Sequence, residues 1–264
     1  MRILLTNDDG IQAPGIRILA ERLGKIHEVF VSAPRVQMSS CSHRVTYFRH
    51  DLDVQEEEVP GAVQAWSVDG TPADCVYAAC YGLLETRPDL VISGINQGQN
   101  ISMDAHYSGT VAAAREGLII GIPSMAVSLA SNRYGDFGPS AEITERLLEK
   151  YLQDPCCAEY LLNVNVPAVP ADQIAGLRIT HFEMPYGYDH DMVRLDEDSG
   201  HFVLHTVSGR LRTENAQADP DGDLTAVRNN YVSLTPLGLD QVMHDHEDRL
   251  REKNVFAAER RYAE

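Results

Sequence analysis

The stretch Met1-Arg2-Ile3-Leu4-Leu5-Thr6-Asn7-Asp8-Asp9-Gly10 is apolar until it stops at an amide and two adjacent carboxylates. Residues 2 to 6 read as a short buried strand, and Ile16, Leu19, Ala20, Leu23 and Ile26 repeat at helical spacing just beyond Ala13-Pro14-Gly15. Strand, polar turn and helix make half of a βαβ unit. Ligands of open α/β sheets bind outside the carboxyl ends of strands, which is where this reading puts Asn7, Asp8 and Asp9. Two carboxylates there suit a hard cation, which prefers oxygen donors. Asp9-Gly10 reads equally well as a plain turn, so the stretch decides the fold unit and leaves its chemistry open.

The same texture continues outward. Apolar runs alternate with helical patterns over Glu28 to Ala33, Pro72 to Leu84, Leu90 to Ile95, Gly109 to Leu118, Ile122 to Leu129, Glu142 to Leu152 and Leu161 to Val166. This predicts an α/β fold with a mostly parallel sheet covered on both faces. Residues 40 to 62 lapse into polar sequence around Glu56-Glu57-Glu58, expected as a solvated excursion from the sheet. After Pro170 the alternation stops. Leu177 to Phe182 reads as a strand, Arg194 to His205 as a hairpin turning at Ser199-Gly200, and Tyr231 to Thr235 as a last strand. Leu239, Val242, Met243, His246 and Leu250 mark one stripe of a terminal helix. The chain is therefore divided into a core, 1 to 170, and a C-terminal extension, 171 to 264, which either packs on a second subunit or folds back on its own domain.

With 264 residues the chain can bury a large core without a staple. Its start lacks a basic segment followed by a long apolar run, and no stretch reaches the roughly 18 apolar residues of a membrane helix. The expectation is a cytoplasmic protein with no membrane partner. Cys41, Cys75, Cys80, Cys156 and Cys157 are scattered, form no CxxC pair and fit reduced core thiols. Thirty-nine acidic against twenty-two basic residues give a net charge of −17, which repels long nucleic acids. A small phosphate ester remains compatible if a metal ion and backbone amides supply local positive potential.

Three further segments bear on the chemistry. The second strand runs into Ala33-Pro34 and a polar loop carrying Ser39 and Ser40. The strand ending at Ile95 runs into Asn96-Gln97-Gly98-Gln99-Asn100, whose amide oxygens are candidate ligands. Tyr107-Ser108-Gly109-Thr110 precedes a helical run, so hydroxyls sit where a helix presents unpaired amides; Ser108 also reads as an ordinary N-cap. Taken together, these point to metal-assisted hydrolysis of a phosphate ester. The spacing of Asp8 and Asp9 does not match the two-residue offset of haloacid-dehalogenase-type phosphatases, whose nucleophile Asn7 cannot replace. GxxxxGK[ST], a GxGxxG after the first strand and GxSxG are all missing.

In this order, Asn7-Asp8-Asp9-Gly10, Ala33-Pro34 leading to Ser39, Gly70-Thr71-Pro72-Ala73-Asp74, Ser93-Gly94-Ile95-Asn96 with Gly98 and Asn100, and Tyr107-Ser108-Gly109-Thr110-Val111 resemble the survival protein E (SurE) family. Weaker matches, Asn163-Val164-Asn165-Val166-Pro167 and Leu234-Thr235-Pro236-Leu237, extend it almost to the end. The resemblance implies a three-layer Rossmann-like core and a C-terminal hairpin and helix exchanged in a homodimer, with a homotetramer left open. It implies a metal-dependent phosphomonoesterase acting on nucleoside 5′-monophosphates, and also on 3′-monophosphates and short polyphosphate in some members. Carried over by position, one divalent ion per subunit, Mg2+ or Mn2+, falls to Asp8, Asp9, Ser39 and Asn96, and phosphate contacts to Asn7, Asn100, Ser108, Gly109 and Thr110. Asp8 or Asp9 is then the group that orients or deprotonates water, and the sequence does not choose between them. Many members follow the ligand serine with glycine where this chain has Ser40, a strained substitution if φ is positive there. The reading from another class is a nucleotide-sensing module that holds the phosphate without cleaving it.

Overall fold

A computed structural model describes residues 1–131, 135–183, 188–198, 201–211 and 219–240. The opening unit forms as its periodicity requires. Strand β1 (Arg2–Thr6) is buried along most of its length, and Pro14 starts helix α1 (Pro14–Leu23), which turns Ile16, Leu19, Ala20 and Leu23 inward. The helix ends at Leu23 before Gly24, so Ile26 falls off the expected stripe and lies exposed.

Around β1 are built β2 (Glu28–Pro34), β3 (Val54–Glu57), β4 (Gln64–Val68), β5 (Leu90–Gln97), β6 (Ser124–Ala130), β7 (Leu161–Pro167), β8 (Gly176–Ile179) and β11 (Tyr231–Leu237). They make one nine-stranded sheet in the order β3-β4-β2-β1-β5-β6-β7-β11-β8. Strands β4, β2, β1, β5, β6 and β7 run parallel; β3 is antiparallel to β4, and β11 to β7. Strands β9 (Tyr188–Asp198) and β10 (His201–Leu211) form a separate antiparallel pair, longer than the predicted hairpin; its Ser199-Gly200 turn lies outside the described residues.

Helices cover both faces. Ile3, Leu5, Leu90 and Ile92 pack towards α1 and α5 (Gly138–Leu152), whereas Leu4, Phe30 and Val91 face α2 (Pro72–Ala78) and α4 (Gly109–Ile119). This gives a three-layer α/β fold, and near-continuous apolar strands follow from burial on both faces. The acidic run does not leave the sheet. Glu56 and Glu57 lie on β3, paired to Trp66 and Ala65 of β4, because an exposed edge strand carries charge without penalty. Two shorter helices, α3 (Asp104–Tyr107) and α6 (Asp223–Arg228), flank the carboxyl ends of the strands. The predicted terminal helix lies outside the described residues from 241 onward.

Candidate active site

The chain leaves β1 to one side through β2 and returns on the other through β5, so the strand order reverses at β1 and β5. A crevice forms at such a switch point because the connections diverge. Here a cavity of 560 Å³ is lined by Asp8, Ser39, Ser40, the run 96 to 100, Met103, Asp104, Tyr107 and Ser108. A smaller cavity of 200 Å³, between α5 and the start of β8, is lined by Ile143, Leu147, Ile174 and Leu177 together with the charged Glu142, Arg146 and Lys150.

Backbone bonds lace the strand ends together. Met38 N donates to Asp8 O at 2.7 Å and Ile11 N to Pro34 O at 2.9 Å, drawing the Ser39 loop beside the carboxylates. Asn7 spends its amide on the turn itself, donating from Nδ2 to Gly10 O at 2.9 Å and accepting from Gly10 N at 3.1 Å. Asp9 is half-buried, and its Oδ2 accepts from Gln97 N at 3.1 Å, which ties the β1 turn to the end of β5.

Asp8 is 3% exposed and points at the start of α4. Its Oδ1 accepts from Thr110 Oγ1 at 2.6 Å and its Oδ2 from Thr110 N at 3.2 Å. Favourable as a helix N-terminus is for an anion, burial prevails and raises the Asp8 carboxyl from 3.8 to about 6. The Thr110 hydroxyl bond opposes that rise and neighbouring Asp9 adds to it. Asp9 is also raised, chiefly by burial.

The helix start is therefore largely engaged from within. Thr110 N serves Asp8, Val111 N donates to the N-cap Ser108 Oγ at 3.1 Å, and Ala112 N to Ser108 O. Ser108 itself lines the cavity. Asn100 lines the cavity, yet its Nδ2 donates to Ser128 Oγ at 2.8 Å and its backbone is held from β7: Asn165 Oδ1 accepts from Asn100 N, and Asn163 Nδ2 donates to Asn100 O. Sequence reasoning missed Ser128, Asn163 and Asn165 as supports of the site. The available signal was the Asn-Val-Asn alternation of β7, since buried amides in a central strand require partners.

Asp8, Ser39, Asn96, Asn100 and Ser108 thus share one cavity; Asp9 joins through Gln97, Gly109 packs on Asp8, and Asn7 and Thr110 stand behind the carboxylates. Asn96 donates Nδ2 to Gly98 O at 2.9 Å, leaving its carbonyl oxygen as the acceptor end. Two carboxylates, a hydroxyl and an amide carbonyl form an oxygen-only donor set, which fits a hard divalent ion rather than zinc. Among the described residues there is no group of three or more His, Cys, Asp or Glu placed to hold a metal. Ser40 adopts φ 60°, the strained case for a residue with a side chain. Ser40→Gly is expected to raise stability by up to about 1 kcal/mol, a melting-point gain of a few degrees in calorimetry; an unchanged or lower value would show that the loop relaxes without strain.

The fold and the site define an α/β protein with an oxygen-lined ligand cleft at its switch point, walled by a helix N-terminus. Within that class the chain belongs to the SurE family: the family model described as Survival protein SurE matches residues 3–186. The chain is 44% identical over 245 residues to a 5′-nucleotidase SurE of Thermosynechococcus vestitus, covering 91% of each chain. It is 42% identical over 256 residues to a 5′-nucleotidase SurE of Symbiobacterium thermophilum, covering 96% of this chain and 98% of the relative. The crystal structure of a SurE protein from Aquifex aeolicus superposes with a TM-score of 0.82 at 33% identity, over 96% of this chain and all of the other.

Proposed function

We propose that this protein is a metal-dependent 5′-nucleotidase, hydrolysing a nucleoside monophosphate to nucleoside and inorganic phosphate. The observation that carries the reading is the buried Asp8 carboxylate beside Asp9, facing a cavity whose other donors are oxygens. The names of the relatives agree with it. Asp8, Asp9, Ser39 and Asn96 are the residues that would hold Mg2+ or Mn2+. Such an ion, when bound, offsets the charge of the carboxylate pair and of the phosphoryl oxygens.

Each side chain then has a part. Thr110 fixes the rotamer of Asp8 through both of its bonds. The Ser108 hydroxyl and the Gly109 amide receive phosphoryl oxygens at the helix start, where the field favours negative charge. Asn7, Asn100 and Thr110 support these contacts from behind, a refinement of the contact set expected from sequence. Water attacks phosphorus in line and gives a proton to an aspartate carboxylate; the bond to the nucleoside oxygen breaks, and that proton is passed on to the departing oxygen, which leaves as the nucleoside hydroxyl. Half-buried Asp9 is the better placed of the two, because both oxygens of Asp8 are engaged by Thr110.

A cavity of 560 Å³ leaves room for a nucleoside beyond the phosphate. Action on 3′-monophosphates and short polyphosphate, a homodimer built through β9 and β10, and a cytoplasmic setting belong to the same reading. Among the described residues no helix is long and apolar enough to cross a membrane. The test is phosphate release from a panel of nucleoside monophosphates with Mn2+, Mg2+ or EDTA. Turnover with either ion, reduced to background by EDTA and restored by excess metal, is expected. Metal-dependent nucleotide binding without phosphate release would instead establish the sensing module.

A further inference from the structure

One wall of the cleft is fastened to a segment more than a hundred residues away. Ser102 is fully buried with φ 46°; its N–H donates to Asp223 Oδ2 at 2.7 Å and its Oγ to Glu183 O at 2.8 Å. Asp223, also fully buried, accepts on Oδ1 from Glu183 N at 3.1 Å and Leu224 N at 2.8 Å. Glu183 Oε2 closes the loop by accepting from Thr225 N at 2.8 Å. Ile101 packs against Leu224, with Met103 and Val227 beside them.

The wall is therefore held at two points of different origin. Asn100 is tied to β6 and β7 of the parallel sheet, whereas Ser102 is tied to α6, which follows β9 and β10 in the chain. Met103 and Asp104, on the far side of Ser102, line the cavity. A buried carboxylate holds N–H donors more firmly than a neutral acceptor does, and here one carboxylate gathers three chain segments.

We propose that Asp223 is a positioning residue for nucleotide binding, holding the Asn100–Asp104 wall in register with Asp8 and Asp9 through the Ser102 amide. This rests on the nucleotidase reading. Metal-site residues touch neither Asp223 nor α6 among the bonds described, so the effect falls on substrate affinity. An asparagine at 223 keeps the shape, but it orients its oxygen to the two N–H groups of Glu183 and Leu224 and turns its NH2 towards the Ser102 N–H. The Ser102 bond is then the one that is lost.

The test compares wild type, Asp223→Asn and Ser102→Ala by steady-state kinetics, Mn2+ calorimetry and hydrogen exchange. Asp223→Asn is expected to raise KM for a nucleoside 5′-monophosphate about tenfold, with kcat within about twofold and Mn2+ affinity unchanged. Amide exchange over residues 98 to 104 accelerates while residues 1 to 20 keep their protection. Ser102→Ala, which removes the hydroxyl bond to Glu183 and keeps the N–H bond to Asp223, is expected to raise KM less than Asp223→Asn does. If Asp223→Asn does not fold, Asp223→Glu, which keeps the charge but moves the acceptor away from the Ser102 N–H, carries the test. A folded Asp223 variant with unchanged KM and unchanged exchange overturns the proposal, and so does a parallel fall of kcat and Mn2+ affinity. Absence of turnover in wild type would defeat the nucleotidase reading instead, and exchange would still decide whether Asp223 holds the wall.

Discussion

Asp8→Asn is expected to reduce phosphate release by about 10³-fold or more while making the metal-free protein harder to melt. The loss follows from removing the negative charge that faces the cleft, with Asp9 left beside it. The gain follows from burial. An acid raised from 3.8 to about 6 in the fold is ionised more readily when unfolded, so its contribution to stability declines as pH rises from about 4 to 6. Above that window the ionised, desolvated carboxylate costs roughly 3 kcal/mol. Asparagine removes that cost but points its NH2 at the Thr110 amide, forfeiting about 1–2 kcal/mol. A net gain of about 1–2 kcal/mol corresponds to a rise of several degrees for a chain of this size. Melting in EDTA at pH 7.5 and at pH 4 checks the sign: the mutant should lead at the higher pH and lose its advantage at the lower. A mutant that melts below wild type at pH 7.5 would show that Asp8 is not destabilising there.

Gly109→Ala carries the second large effect. A Cβ at this position would lie 2.8 Å from Asp8 Cβ and 3.0 Å from both Asp8 Oδ2 and Cys41 Sγ. None of these can give way freely, since Asp8 is fixed by Thr110 one residue further on. Either the carboxylate or the start of α4 must move, and kcat/KM is expected to fall about 10²-fold with about 1–3 kcal/mol of lost stability. Gly82→Ala, in a helical turn where the added carbon meets nothing within 4 Å, is the matched control and should leave activity unchanged with no loss of stability. Activity within threefold of wild type in Gly109→Ala would contradict the close approach of helix and carboxylate.

These two positions show how unevenly the site could be read. That Asp8, Ser39 and Asn96 share one cavity was legible because each lies at or just beyond the carboxyl end of a parallel strand, and such ends converge in an open parallel sheet. Asn100 was legible as a residue of the cleft but not in its inward attachment, which depends on Ser128 and on the β7 amides. The β3 and β4 edge was not legible, because Glu56 and Glu57 resemble a solvated loop until β4 pairs with them. The start of α4 looked free to bind an anion from solution; packing aims the Thr110 amide at a carboxylate of the same chain.

What the sequence determined by itself was local: an apolar strand, a turn rich in carboxylate, a helix opened by proline, and the repetition of that unit. Periodicity and turn chemistry act within a few residues, so they can be read directly from their order. Tertiary structure alone decided which groups meet across the fold. Asp8 and Thr110 are 102 positions apart, and Ser102 and Asp223 are 121 apart. Such contacts exist only after sheet order and helix packing have brought distant segments to one end of the sheet, where burial sets the charge of Asp8 and the shape of the cleft around it.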